Sequence, residues 1–154
     1  NFMQKISFKP MILKSLVLVG LLSVVGLAKS AQDIWIESFG QGNIEYFIDN
    51  QTAQLHISCP TRSGSADAMS NVALIINGKE ATKFELIVGS YSFVGPFEAA
   101  SRVDSDNFKV LMTELRKNNA TVKFKNTTIV FPKSNAAKVI PQVNSKDFVC
   151  NTSF

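Results

Sequence analysis

Beyond residue 34 apolar and polar residues alternate along most of the chain, and a period of two predicts strands. Residues 34–39 (IWIESF) and 44–49 (IEYFID) are two such runs, joined by Gly40-Gln41-Gly42-Asn43 as a hairpin connection. Asp49-Asn50-Gln51 then turns the chain into residues 53–59, where Leu55, Ile57 and Cys59 alternate with Gln54, His56 and Ser58. That pattern predicts a half-buried strand with one polar face. Residues 61–71 (TRSGSADAMSN) are small and polar and predict a loop, while 72–76 is a continuous apolar run that suits a central strand.

Asn77-Gly78 is the strongest hairpin signal in the chain, because both turn positions must tolerate φ > 0. The return strand is expected over about residues 82–88, with Phe84, Leu86 and Val88 on one face. A further short alternating run carries Tyr91 and Phe93 between glycines.

One stretch has the helical period instead. Phe108, Leu111, Met112 and Leu115 fall at i, i+3, i+4 and i+7 and form an apolar stripe. Asp104 or Ser105 is the expected cap, Asp106 suits the positive end of the dipole, and Arg116 and Lys117 suit the other end. Asn118-Asn119 predicts a left-handed stop. Residues 121–125 and 127–131 then form a tight hairpin about Asn126, and 134–154 a short turn or helix with an extended tail. The expected fold is mainly β: a single antiparallel β-sandwich or partly open barrel with one late amphipathic α-helix.

The first thirty residues follow a different rule. Lys5, Lys9 and Lys14 precede an apolar run over residues 15–28, and these 14 residues fall short of the roughly 20 needed to span a bilayer. Ala28 and Ser30 sit at −3 and −1 for cleavage before Ala31, and cleavage after Ala28 is the alternative. Residues 1–30 thus read as a signal peptide and 31–154 as one exported β-rich domain, periplasmic or secreted. The membrane is expected to matter only through this export signal.

Export changes the charge balance. Four of the sixteen Lys and Arg precede residue 31, which leaves twelve against twelve Asp and Glu. A neutral domain removes the whole-chain electrostatic case for binding nucleic acid. One local asymmetry survives: Arg116, Lys117, Lys123, Lys125, Lys133 and Lys138 follow Glu114 with no acidic residue among them. An oxidising compartment also lets Cys59 and Cys150, the only cysteines, pair across a loop of about 92 residues.

Hydrophobic residues make up 45% of the chain, enough to build a core, so disordered and low-complexity classes are excluded. Two cysteines and one histidine are too few for a zinc framework. No nucleophile elbow, HExxH, Walker loop or dinucleotide fingerprint occurs. His56 is the only candidate base near neutral pH, and Glu37 with Glu45 is a carboxylate pair across the first hairpin. No catalytic residue, metal or cofactor is therefore assigned. Asn50, Asn119, Asn126 and Asn151 begin N-x-S/T sequons, which mark surface turns in a glycosylating host.

Aromatic residues are the positive feature. Tyr91, Phe93 and Phe97 form one cluster, and Trp35, Phe39, Tyr46 and Phe47 another. Adjacent Tyr46 and Phe47 must point to opposite faces of a strand. Tyr91, Phe93, Phe97, Trp35 and Tyr46 are the candidate binding residues, with core filling as the competing reading.

The stretch from Cys59 to Cys150 contains a Cys-ended strand, the NG turn, DNFKVLMTELRKNNATVKF and IVFPKSNAAKVIP. It resembles small exported bacterial proteins of the invasion-associated locus B type. The resemblance implies a β-sandwich with an amphipathic helix before the last hairpin, and no catalytic residues to carry over. The expected function is a non-enzymatic binding or accessory protein of the envelope: an inhibitor, an immunity-type protein or an invasion-associated factor. Its partner would be an envelope or extracellular protein. The competing expectation is a small exported hydrolase using carboxylates and His56.

Overall fold

A computed structural model describes residues 32–61 and 67–154. The export signal expected over residues 1–30 lies outside the described residues. Among those described, no helix is long and apolar enough to cross a membrane.

Three strands, β1 (Trp35–Gly40), β2 (Asn43–Asn50) and β3 (Ala53–Pro60), form a meander. The first connection is tighter than the four residues expected: Gly40 pairs with Asn43, and only Gln41 and Gly42 turn, at φ 52° and 80°. β4 (Asn71–Ile76) pairs with β3 and turns through Asn77-Gly78, at φ 49° and 75°. Both pairs of positive φ suit the twist of the strands they join.

The return from that second turn corrects the sequence reading. Only β5 (Lys79–Glu80) pairs back onto β4. The chain then crosses to the other layer, where β6 (Phe84–Val88) pairs with β7 (Tyr91–Gly95) and β9 (Ala120–Phe124). The rest of that edge of β4 is taken by β8 (Phe97–Glu98), so a full-length return strand has no room there. β10 (Thr127–Phe131) completes a four-stranded sheet in the order β10-β9-β6-β7, facing the six-stranded sheet of β1 to β5 and β8. Two antiparallel sheets, not a closed barrel, make the β-sandwich-like fold.

Between the sheets lies the core, in which Ile48, Leu55, Ile57 and Leu74 meet Leu86, Val122 and Phe131. Helix α1 (Arg102–Leu115) adds the stripe Phe108, Leu111, Met112 and Leu115, all buried as expected. Its start lies earlier than the stripe suggested. Ser101 is the cap: its hydroxyl accepts from the Asp104 N–H at 3.0 Å and donates to the Asp104 carboxylate at 2.7 Å. Ser105 is buried inside the helix and donates to the Ala99 carbonyl. Nor is the stop left-handed, since neither Asn118 nor Asn119 has positive φ. The Asn118 amide instead donates to the Glu114 carbonyl and carboxylate. A side chain thus does what the left-handed turn was expected to do.

The short helix α2 (Ala136–Val139) leads into a tail that Cys150 ties to Cys59 at the end of β3, the pairing expected of the two cysteines. Ser70 N–H to Asn151 carbonyl and Ser153 N–H to Ala99 carbonyl fasten it further.

Gly95 faces Phe84 across the β6–β7 pair, and a Cβ there would lie 2.2 Å from the ring. Because Phe84 is a core residue, it has little freedom to retreat. Gly95→Ala should therefore destabilise by about 1 to 3 kcal/mol, as overpacked cores do. An unchanged urea midpoint would show that the ring yields freely.

Candidate functional site

Alternation places Trp35, Glu37 and Phe39 of β1 on the same inner face as Ile44, Tyr46 and Ile48 of β2. The outer face carries Glu45 and Phe47, followed by His56 of β3. Tyr46 and Phe47 therefore part as the sequence required.

Burial decides which candidate binding residues can meet a partner. Trp35, Tyr46 and Phe93 are only 2%, 2% and 5% exposed, which removes them from any exposed aromatic surface. Tyr91, Phe93 and Phe97 do form a ladder, with ring centroids 6.4 and 6.3 Å apart. It runs from the four-stranded sheet, where Phe93 opposes Leu86, to the six-stranded one, where Phe97 opposes Val72. The ladder fills the space between layers. Its exposed end is Tyr91, at 46%, and Phe97 is half-buried.

The catalytic alternative is also redistributed. His56 Nε2 lies 3.6 Å from the Glu45 carboxylate, and the imidazole stacks against Phe47. Glu37 is on the opposite face, so the two glutamates do not form one carboxylate pair. No group of three or more His, Cys, Asp or Glu side chains is placed to hold a metal ion among the described residues.

A cleft opens instead on the inner side of β1 and β2, beneath the chain that follows α2. It has a volume of about 690 Å³, and Glu37, Tyr46, Arg116, Lys138, Lys146 and Asp147 supply its ionisable groups. The Arg116 guanidinium donates to the Ile140 carbonyl, which holds this wall to the end of α1. None of the three ion pairs among the described residues involves these six side chains. The Tyr46 hydroxyl lines the cleft and forms no hydrogen bond among the described residues, although its side chain is buried. Burial, then the carboxylates of Glu37 and Asp147, push the phenol up to about 12. It is a neutral donor at physiological pH. His56 and Glu45 lie on the other face of the sheet and are not part of the cleft.

Sequence reasoning named Tyr46 for its aromatic ring and Arg116 and Lys138 within a basic run, but Asp147 and Lys146 carried no signal. Only the disulfide-held tail brings them to Tyr46. The edge of β1, which supplies Glu37 to the cleft, has a second feature. Trp35 N–H donates to the Asn135 side-chain oxygen at 2.7 Å, and the Asn135 amide donates back to the Trp35 carbonyl at 3.0 Å. Trp35 therefore directs its backbone away from β2, and by alternation Glu37 and Phe39 do the same. Their N–H and C=O groups form no hydrogen bond among the described residues.

No curated protein and no solved structure matches the chain. The YfjT family model matches residues 33–140, from the start of β1 to the end of α2. That span includes Glu37, Tyr46, Arg116 and Lys138, while the tail with Lys146, Asp147 and Cys150 follows it. With both sheets and the helix inside the match, the chain belongs to the YfjT family.

Proposed function

We propose that this protein is a non-enzymatic binding domain of the cell envelope, periplasmic or secreted after cleavage near Ala28 to Ala31. The observation that carries the reading is the cleft: a buried, unpartnered phenol between two carboxylates, apart from the only histidine. Such a site offers donors and acceptors to a ligand, and its carboxylates are joined by no histidine or thiol in the lining. The Cys59–Cys150 bridge suits an oxidising compartment. The resemblance to invasion-associated locus B proteins supports an exported accessory role among the inhibitor, immunity-type and invasion-associated possibilities.

The hydrolase reading keeps one observation, the His56–Glu45 pair. Chromogenic esters, phosphates and glycosides discriminate the two. Purified protein should turn over none of them, and His56→Ala should leave the protein folded at a cost of about 1 kcal/mol, since the half-buried ring meets Glu45 and Phe47. Turnover that His56→Ala abolishes in a folded protein would replace binding with hydrolysis.

A further inference from the structure

The cleft and the open edge of β1 meet at one residue. Glu37 sends its carboxylate into the cleft and its backbone N–H and C=O off the sheet edge. Phe39, two positions on and 70% exposed, presents the next free pair of backbone groups. An edge with unpaired donors and acceptors is a template for an added strand, and alternate side chains of that strand set specificity.

We propose that the protein binds an extended peptide segment which adds a strand to β1 and places a lysine or arginine side chain in the cleft at Tyr46. This rests on the binding reading above and names its partner's chemistry. A residue pairing beside Glu37 on the inner face brings its side chain to the Glu37 and Asp147 carboxylates, neither of which has an ion-pair partner. Glu37 is the only residue of the edge strand itself that lines the cleft, so an added strand meets its carboxylate first, with the Tyr46 hydroxyl of the neighbouring strand as a further polar partner. Arg116 is engaged with Ile140, and Lys138 and Lys146 stand on the wall contributed by the tail. A second copy of β1 is the poorer occupant. Symmetric antiparallel pairing there would bring one Glu37 opposite or diagonal to another, and like charges across a pair are unfavourable.

Short capped Thr/Val peptides with a central Lys, norleucine or Glu test this by heteronuclear NMR titration of the full disulfide-bonded protein. The Lys peptide should bind about tenfold or more tighter than the norleucine peptide, the size expected of a charge-assisted contact. It should also shift and protect the Glu37 and Phe39 amides. Glu37→Gln should remove most of the Lys preference. Phe39→Pro deletes one outward N–H without touching the β1–β2 ladder, so it should weaken binding relative to Phe39→Ala. A peptide N-methylated at alternate amides makes the same test without altering the protein.

Equal affinity for Lys and norleucine, or a Lys preference unchanged in Glu37→Gln, would overturn the basic-side-chain assignment. Binding insensitive both to Phe39→Pro and to N-methylation would overturn strand addition. Absence of any shift at millimolar peptide overturns the whole inference. So would β1 amides that move with protein concentration alone, which would give the edge to a second copy. None of these results requires turnover, so the binding reading fails separately, through the chromogenic assay.

Discussion

Removing the disulfide should cost about 4 to 5 kcal/mol, the loop-closure value for a bridge closing a loop of this length. Cys59 and Cys150 are 91 positions apart, and both are buried. Replacement by serine adds a hydroxyl at the fully buried end of β3, so Cys→Ser and Cys→Ala variants should be compared. The alanine pair isolates the cross-link. Urea unfolding with and without reductant reads the difference, and free-thiol labelling of native protein should stay near zero. A change below about 1 kcal/mol would mean that the tail's hydrogen bonds to Ala99 and Ser70 hold it alone, each such bond being worth about that much. Loss of the bridge should also disturb the cleft, since Lys146 and Asp147 lie four and three residues before Cys150. In Cys150→Ala the Lys-peptide affinity should therefore fall even where the sandwich persists.

Phe93→Ala and Tyr91→Ala should separate sharply although the two rings stack. Phe93 is buried between Tyr91 and Phe97 in the core. Its truncation should lower stability by about 3 to 5 kcal/mol, the range for a buried phenylalanine. Tyr91 ends the ladder half in solvent, and its truncation should stay near 1 kcal/mol or below. Thermal and urea unfolding on the two variants decide the matter. A small loss for Phe93→Ala would indicate that the layers close over the gap, and a large one for Tyr91→Ala that its exposed edge carries packing. An effect of Tyr91→Ala on partner binding at parent stability would mark this end of the sandwich as a contact surface.

Periodicity alone determined much of the protein. A period of two over residues 34–59 and a period near 3.6 over 108–115 depend only on which side chains avoid water, so both survive in the folded chain. Turns at Gln41-Gly42 and Asn77-Gly78 were legible for a similarly local reason, since positive φ limits the residues that fit. The disulfide followed from having two cysteines in a chain expected to be exported. Where the reading erred, the deciding partner was distant. An alternating run does not state which strand it will join, so residues 84–88 were assigned to Asn77-Gly78 when their partners are β7 and β9. An aromatic side chain does not state its depth either: Trp35 and Phe93 are buried in the core, and Tyr46 buries its ring and only lines the cleft.

The cleft lay further from view than any strand. Glu37 and Tyr46 are neighbours across one hairpin, but Asp147 reaches them only after two layers, a helix and a covalent tie have folded the tail back. Asn135 guards the edge at Trp35 across 100 positions and stops there, leaving Glu37 and Phe39 unpaired. Hydrophobic pattern is a property of neighbours along the chain, whereas a site is a convergence of polar groups from distant segments. The sequence by itself therefore determined most strands, the helix and the bridge, and the tertiary structure decided how the strands divide between layers and where a partner finds unpaired charge and open backbone.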